Sequence, residues 1–168
     1  AKQASILDLD TGEVLAIFTG NWDAGFKHGV VSRDGTRALI SERKHNGIWR
    51  LIDLTQSPPS QVSGGNFNVA DQVLISPDST RGVLFGDDLT ILDLQTGEVI
   101  YYEEAPSFNF GGGAISCDGT RLMTHTPPIE YHGFYRLYDL ASDPPSQIGY
   151  YSGDDIDNRY ILKILTKE

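Results

Sequence analysis

The chain has 168 residues, with 13 Lys and Arg set against 23 Asp and Glu, for a net charge of −10. Nucleic acid and anionic membrane surfaces would repel such a chain, so neither is an expected partner. A single cysteine leaves no internal disulfide, and no run approaches the roughly 18 consecutive apolar residues of a membrane span. The chain opens on Ala1 with no signal peptide, as a mature or excised product would, and its compartment is left open between cytoplasmic and extracytoplasmic.

Taken in order, the first apolar stretches are Ser5 to Leu9 and Val14 to Phe18, set around Asp10-Thr11-Gly12-Glu13. They predict one hairpin, the third and fourth strands of an incomplete unit. A loop from Gly20 to Lys27 follows, and then strands at Gly29 to Ser32, Ala38 to Glu42 and Trp49 to Asp53, with a short fourth strand near Gln61-Val62. The next unit repeats the order at Val73 to Ser76, Gly82 to Phe85, Thr90 to Asp93 and Glu98 to Tyr102, and only Gly86-Asp87-Asp88 joins its second and third strands. A third unit runs Gly113 to Ser116, Arg121 to His125, Phe134 to Asp139 and Gln147 to Tyr151. After an acidic loop, one last strand is expected at Tyr160 to Leu165. Asp, Gly and Pro interrupt every window before helical spacing builds, so no helix is expected.

Two signatures tie these units together. Ser32-Arg33-Asp34-Gly35-Thr36-Arg37 returns as Ser76-Pro77-Asp78-Ser79-Thr80-Arg81 and as Ser116-Cys117-Asp118-Gly119-Thr120-Arg121. An aliphatic-Asp-Leu motif accompanies it at Leu7-Asp8-Leu9, Ile52-Asp53-Leu54, Leu92-Asp93-Leu94 and Tyr138-Asp139-Leu140. A period of about 43 residues made only of short strands predicts propeller blades of four strands each. The expected fold is all-β, one domain over 1–168 with units at about 1–19, 28–63, 71–103, 111–151 and 159–166. Three blades are complete and the fourth is split between the chain ends. Such a chain does not close a regular ring alone, so self-association or membership of a larger propeller is expected.

These motifs resemble the WD-repeat and YVTN-type β-propeller superfamily, and Ile52-Asp53-Leu54 with Pro58-Pro59 and Val62 is similar to LVIVD-type repeats. Where that superfamily's blades carry a Trp-Asp dipeptide, this chain has Leu7-Asp8, Ile52-Asp53, Leu92-Asp93 and Tyr138-Asp139, which makes the bacterial-type propellers the nearer resemblance. The superfamily implies a fold and no single activity, since it hosts scaffolds, ligand binders and hydrolases alike. A longer period lies over the short one: Thr11-Gly12-Glu13-Val14 recurs as Thr96-Gly97-Glu98-Val99, and Pro58-Pro59-Ser60-Gln61 as Pro144-Pro145-Ser146-Gln147. Blades therefore alternate between two types, as a duplicated two-blade unit would.

Within that topology the turn aspartates Asp34, Asp78 and Asp118 read as turn formers. The opposite, upper loops hold Trp22, Phe26, Phe67, Phe108, Phe110 and Tyr131, expected as a composite aromatic binding face, against the plainer reading that each ring plugs a wedge between blades. His125, Glu130 and His132 offer zinc ligands, and Asp154, Asp155 and Asp157 offer calcium ligands. Neither set has the spacing of an established motif, so solvated loops are expected and no cofactor. The chain lacks a Gly-x-Ser-x-Gly elbow, a His-Glu-x-x-His helix and a phosphate loop. The expected function is a non-enzymatic module that holds a protein or glycan partner, with a fragment of a propeller hydrolase or lactonase-like enzyme as the alternative.

Overall fold

In a computed structural model, which describes residues 3–20, 25–42, 47–67, 72–105, 109–129 and 132–152, every element is a β-strand. A hairpin comes first, β1 (Gln3–Leu7) and β2 (Val14–Thr19). Blade 2 comprises β3 (Phe26–Val31), β4 (Arg37–Glu42), β5 (Gly47–Asp53) and β6 (Ser60–Phe67). Blade 3 comprises β7 (Gln72–Ile75), β8 (Arg81–Phe85), β9 (Asp88–Asp93) and β10 (Val99–Glu104). Blade 4 comprises β11 (Gly112–Ile115), β12 (Arg121–Ile129), β13 (His132–Asp139) and β14 (Ser146–Ser152). Each four-stranded sheet follows chain order with antiparallel neighbours, and β1–β2 form the half-blade. The strand expected at Tyr160 to Leu165 lies outside the described residues.

The first signature folds as a closed set of local bonds. The Ser hydroxyl donates to the Asp carboxylate at 2.6, 2.5 and 2.5 Å in the three copies. The same carboxylate oxygen accepts the Thr backbone N–H at 3.0, 3.1 and 3.0 Å and the Thr hydroxyl at 2.9 Å each time. Gly35 and Gly119 occupy the left-handed region at φ 72° and 75°, and Ser79 takes that place in blade 3 at 61°. The bond from Ser116 and those from Thr120 hold the Asp118 carboxyl down at about 2.

That turn is also why the two signatures keep a fixed spacing. Its Arg reaches across one strand pair to the Asp of the second signature: Arg37 to Asp53 at 2.9 Å, Arg81 to Asp93 at 3.0 Å and Arg121 to Asp139 at 2.6 Å. The following Leu N–H donates to the Thr carbonyl at 2.9 Å in every blade (Leu54 to Thr36, Leu94 to Thr80, Leu140 to Thr120).

Apolar residues alternate between the two faces of each sheet, with the period of a strand. In blade 2, Ala38, Ile40 and Ile52 pack toward the half-blade's Ala4, Ile6 and Phe18. On its other face, Leu39, Trp49 and Leu51 meet Leu84, Leu92 and Leu94 of blade 3. Blade 3 in turn sends Val83, Phe85, Leu89 and Ile91 against Leu122, Tyr138 and Leu140 of blade 4. Sheets covered on both faces need near-continuous apolar strands, and the central strands of blades 2 and 3 have them.

Two expected boundaries are corrected. The short fourth strand near Gln61-Val62 is an eight-residue strand, β6. Its Gly64 and Gly65 carry low strand propensity, but a Cβ at Gly65 would lie 2.9 Å from the Trp49 indole nitrogen and one at Gly64 2.8 Å from the Trp49 carbonyl. Gly65 lets β6 pass close to that ring, and Gly64 lets it pass close to the Trp49 backbone. Likewise Pro127 and Pro128 do not end the strand after His125: β12 runs to Ile129, with its register shift at the prolines, where a missing N–H is tolerated.

Candidate binding cleft

Where the outer strands of blades 2 and 3 diverge, a cleft of about 250 Å³ remains, lined by Trp49, Asn66, Phe67, Asp88, Thr90, Val99 and Tyr102. β5 supplies Trp49, and β6 ends on Asn66 and Phe67. Asp88 and Thr90 are two apart on β9, so both face blade 2, the same side as Leu92 further down the strand. On β10, Tyr102 stands directly opposite Thr90.

The cleft pairs an aromatic wall with a carboxylate. The Trp49 and Phe67 rings join the apolar cluster between the blades, are 4% and 6% exposed, and also line the cavity. Opposite them, Tyr102 is hydrogen-bonded to Asp88, and burial together with the charge of that carboxylate pushes the Tyr102 hydroxyl up from its ordinary value. A pocket for a small molecule or cofactor has roughly 300 to 1,000 Å³. This one is smaller, and its shape suits one long side chain, with a cation drawn to the carboxylate.

Of the residues expected to form an aromatic face, the three that are described are not brought together. Phe110 is 1% exposed and lies in the wedge between blades 3 and 4, its ring 5.1 Å from the Arg136 guanidinium. Phe26 opens β3 and packs half-buried against the cluster between the half-blade and blade 2. Phe67, 6% exposed, is a core residue that also walls the cleft. For these three the burial favours the plainer reading, a ring set between blades, because burial stabilises a ring more than loop exposure does. Trp22, Phe108 and Tyr131 lie outside the described residues.

His125 is exposed on β12, opposite Gly112, and His132 begins β13. Glu130, Asp154, Asp155 and Asp157 lie outside the described residues, among which no group of three His, Cys, Asp or Glu could hold a metal ion. Another carboxylate stands out in the wedge between blades 3 and 4. Glu103 accepts the Tyr101 hydroxyl at 2.7 Å and the Tyr138 hydroxyl at 2.9 Å, and it is ion-paired with Arg136. With three donors it is a satisfied internal network, and burial, then the Glu103 charge, push the Tyr138 hydroxyl well up. The glycines Gly111-Gly112-Gly113 serve close approach: a Cβ at Gly113 would fall 2.3 Å from the Met123 carbonyl and 2.9 Å from the Phe85 ring.

No family model and no curated protein matches the chain. Among solved structures it is similar to a eukaryotic initiation factor, at 14% identity and a TM-score of 0.63, over 80% of this chain and 34% of that one. It is also similar to the β-propeller domain of Cps50 (Swd1) from Myceliophteria thermophila, at 12% identity and a TM-score of 0.58, over 89% of this chain and 51% of that domain. The chain thus spans about a third and about half of these two neighbours. Together with the all-β blades, the likeness defines the fold as a β-propeller array.

Proposed function

We propose that the chain is a non-enzymatic protein-interaction module that holds a basic side chain of a partner polypeptide in the cleft between blades 2 and 3. The observation that carries this reading is a cavity sized for one side chain, with Trp49 and Phe67 on one wall and the Asp88 carboxylate on the other. The net charge of −10 favours the same partner, since it steers basic segments toward the chain. A glycan fits less well, because sugar stacking needs an open ring face and Trp49 is 4% exposed. Hydrolysis is disfavoured by a lining with one carboxylate and no imidazole to act as a second acid-base group. The upper loops with Trp22, Phe108 and Tyr131 would widen the docking surface. A second signature that reads Leu7-Asp8, Ile52-Asp53, Leu92-Asp93 and Tyr138-Asp139 in place of Trp-Asp supports a bacterial-type propeller.

The test follows fluorescence in a Trp22→Phe background, where Trp49 is the remaining tryptophan. Arg-containing peptides should quench it saturably, and Asp88→Asn should weaken binding by about thirtyfold or more, as when one member of a desolvated charge pair is lost. Equal affinity for the Asp88→Asn variant, or for peptides with citrulline in place of arginine, would overturn the reading.

A further inference from the structure

Among the described residues, the two-type alternation of blades leaves two faces without cover, and they are the two halves of an interface the chain already contains. In the interface between blades 2 and 3, the second-signature residues Leu92 and Leu94 are fully buried. Their counterparts in the half-blade, one long period earlier, are Leu7 and Leu9, which are 49% and 95% exposed. The strand registers agree: Leu7 pairs with Val14 as Leu92 pairs with Val99, and Ser5 with Ile17 as Thr90 with Tyr102. Val14 and Ile17 are about as exposed as Val99 and Tyr102, so the contrast between the two faces rests on Leu7 and Leu9. Nothing among the described residues covers the face that β1–β2 turn away from blade 2.

Blade 4 carries the complementary half. Leu122, Arg136 and Tyr138 face blade 3, so alternation puts Met123, Tyr135 and Leu137 on the opposite face. Met123 pairs with Leu137 as Leu39 pairs with Leu51, and Tyr135 stands where Trp49 stands. Leu39, Trp49 and Leu51 are buried against blade 3, whereas Met123, Tyr135 and Leu137 are half-buried and belong to none of the three clusters. The bonds that lock the internal interface have open counterparts too. Arg37 donates from Nε to the Leu94 carbonyl of blade 3 at 3.3 Å, and its side chain is 16% exposed; Arg121, its equivalent in blade 4, is 38% exposed. A Cβ on Gly97 would sit 2.3 Å from Ser63 of blade 2, whereas Gly12, the equivalent glycine, has nothing within 4 Å.

We propose that blade 4 of one copy docks on the β1–β2 face of a second copy, head to tail, repeating the interface between blades 2 and 3. In this contact Leu7 and Leu9 of one copy pack on Met123 and Leu137 of the other, and Arg121 meets the Leu9 carbonyl. The template is internal to the chain, and the same chain bears both complementary faces. A heterologous contact of this kind closes when a twofold axis relates the pair, so the expected assembly is a closed dimer.

Sedimentation of the whole chain should show a concentration-dependent dimer. Leu9→Ala should raise its dissociation constant roughly 30-fold per contact, the equivalent of exposing one leucine, and Leu9→Asp should leave a monomer. Leu9 is almost fully exposed, so neither change should alter the circular dichroism of the monomer. In a Cys117→Ser background, a short bismaleimide should join a Leu9→Cys chain to a Met123→Cys chain but should not join either variant to itself. A monomer at all concentrations would overturn the proposal, since the faces are then covered by other segments or not at all. So would a dimer indifferent to Leu9→Asp, or a linker that joins Leu9→Cys to Leu9→Cys.

Discussion

Truncating the same signature residue in two blades separates what the motif requires from what its surroundings require. Leu94 and Leu9 both follow the Asp of the second signature, but Leu94 is 0% exposed and Leu9 is 95% exposed. Leu94 packs with Leu39 over Gly82, where a Cβ would already meet both side chains at 3.1 and 3.2 Å, so the site has no slack to fill a void. Leu94→Ala should therefore cost about 3 kcal/mol, the lost transfer of the side chain plus the cavity left behind. Leu9→Ala removes nothing that the isolated chain buries and should cost less than about 0.5 kcal/mol. With a urea m-value of roughly 2 kcal/mol/M, the first change lowers the denaturation midpoint by about 1.5 M and the second by less than about 0.3 M. The comparison is made at concentrations where the chain is monomeric. Equal midpoints for the two variants would refute the idea that neighbouring blades, and not the hairpin itself, make this leucine important.

A double-mutant cycle of Arg81→Met and Asp93→Asn should give a coupling of about 1 kcal/mol, modest because the two side chains are 17% and 28% exposed; a coupling of zero in urea titrations would remove the ion pair as the link between the signatures. Asp93→Ala should cost more, about 2 kcal/mol, because the second carboxylate oxygen also holds the Gln95 and Thr96 N–H groups at 2.9 Å. Gly97→Ala should destabilise by about 2 kcal/mol or more through its clash with Ser63, against about 1 kcal/mol of positive-φ strain alone for Gly12→Ala; thermal melts that rank the two alike would show that the blade contact gives way freely. Acid should weaken the fold in a definite window. The Asp118 carboxyl is held below its usual 3.8, at about 2, by bonds from Ser116 and Thr120, so its contribution is complete above about pH 4 and is lost as pH falls through about 2. Near-ultraviolet circular dichroism should follow that loss, and Asp118→Asn should remove one part of it, since Asp34, Asp53, Asp78 and Asp93 are held below their usual value by the same kind of bonds.

The parts of this fold that were legible in sequence are those whose chemistry is local. The Ser-x-Asp-x-Thr-Arg turn satisfies its own donors and acceptors within six residues, so it could be recognised three times and used to count blades. Its coupling to the second signature spans one strand pair, which made the spacing regular enough to set strand order. β6 was underestimated because what favours Gly65 in a strand is the Trp49 ring against it, and propensity carries no trace of a neighbour's ring. The same limit applies to Phe67 and Phe110, which sit next to turns in sequence and between blades in space. The cleft is harder still, since Trp49, Phe67, Asp88 and Tyr102 come from four strands of two blades. One hint was available: Thr90 stands in the apolar run Leu89-Thr90-Ile91-Leu92, and a strand core that gives up a branched aliphatic position to a hydroxyl calls for a polar neighbour on the same face of the sheet. Here that neighbour is the Tyr102 and Asp88 pair. Blade 2 turns the same face to blade 3 that blade 4 leaves open, so the difference between core and surface at these positions is decided by what stands beside the blade.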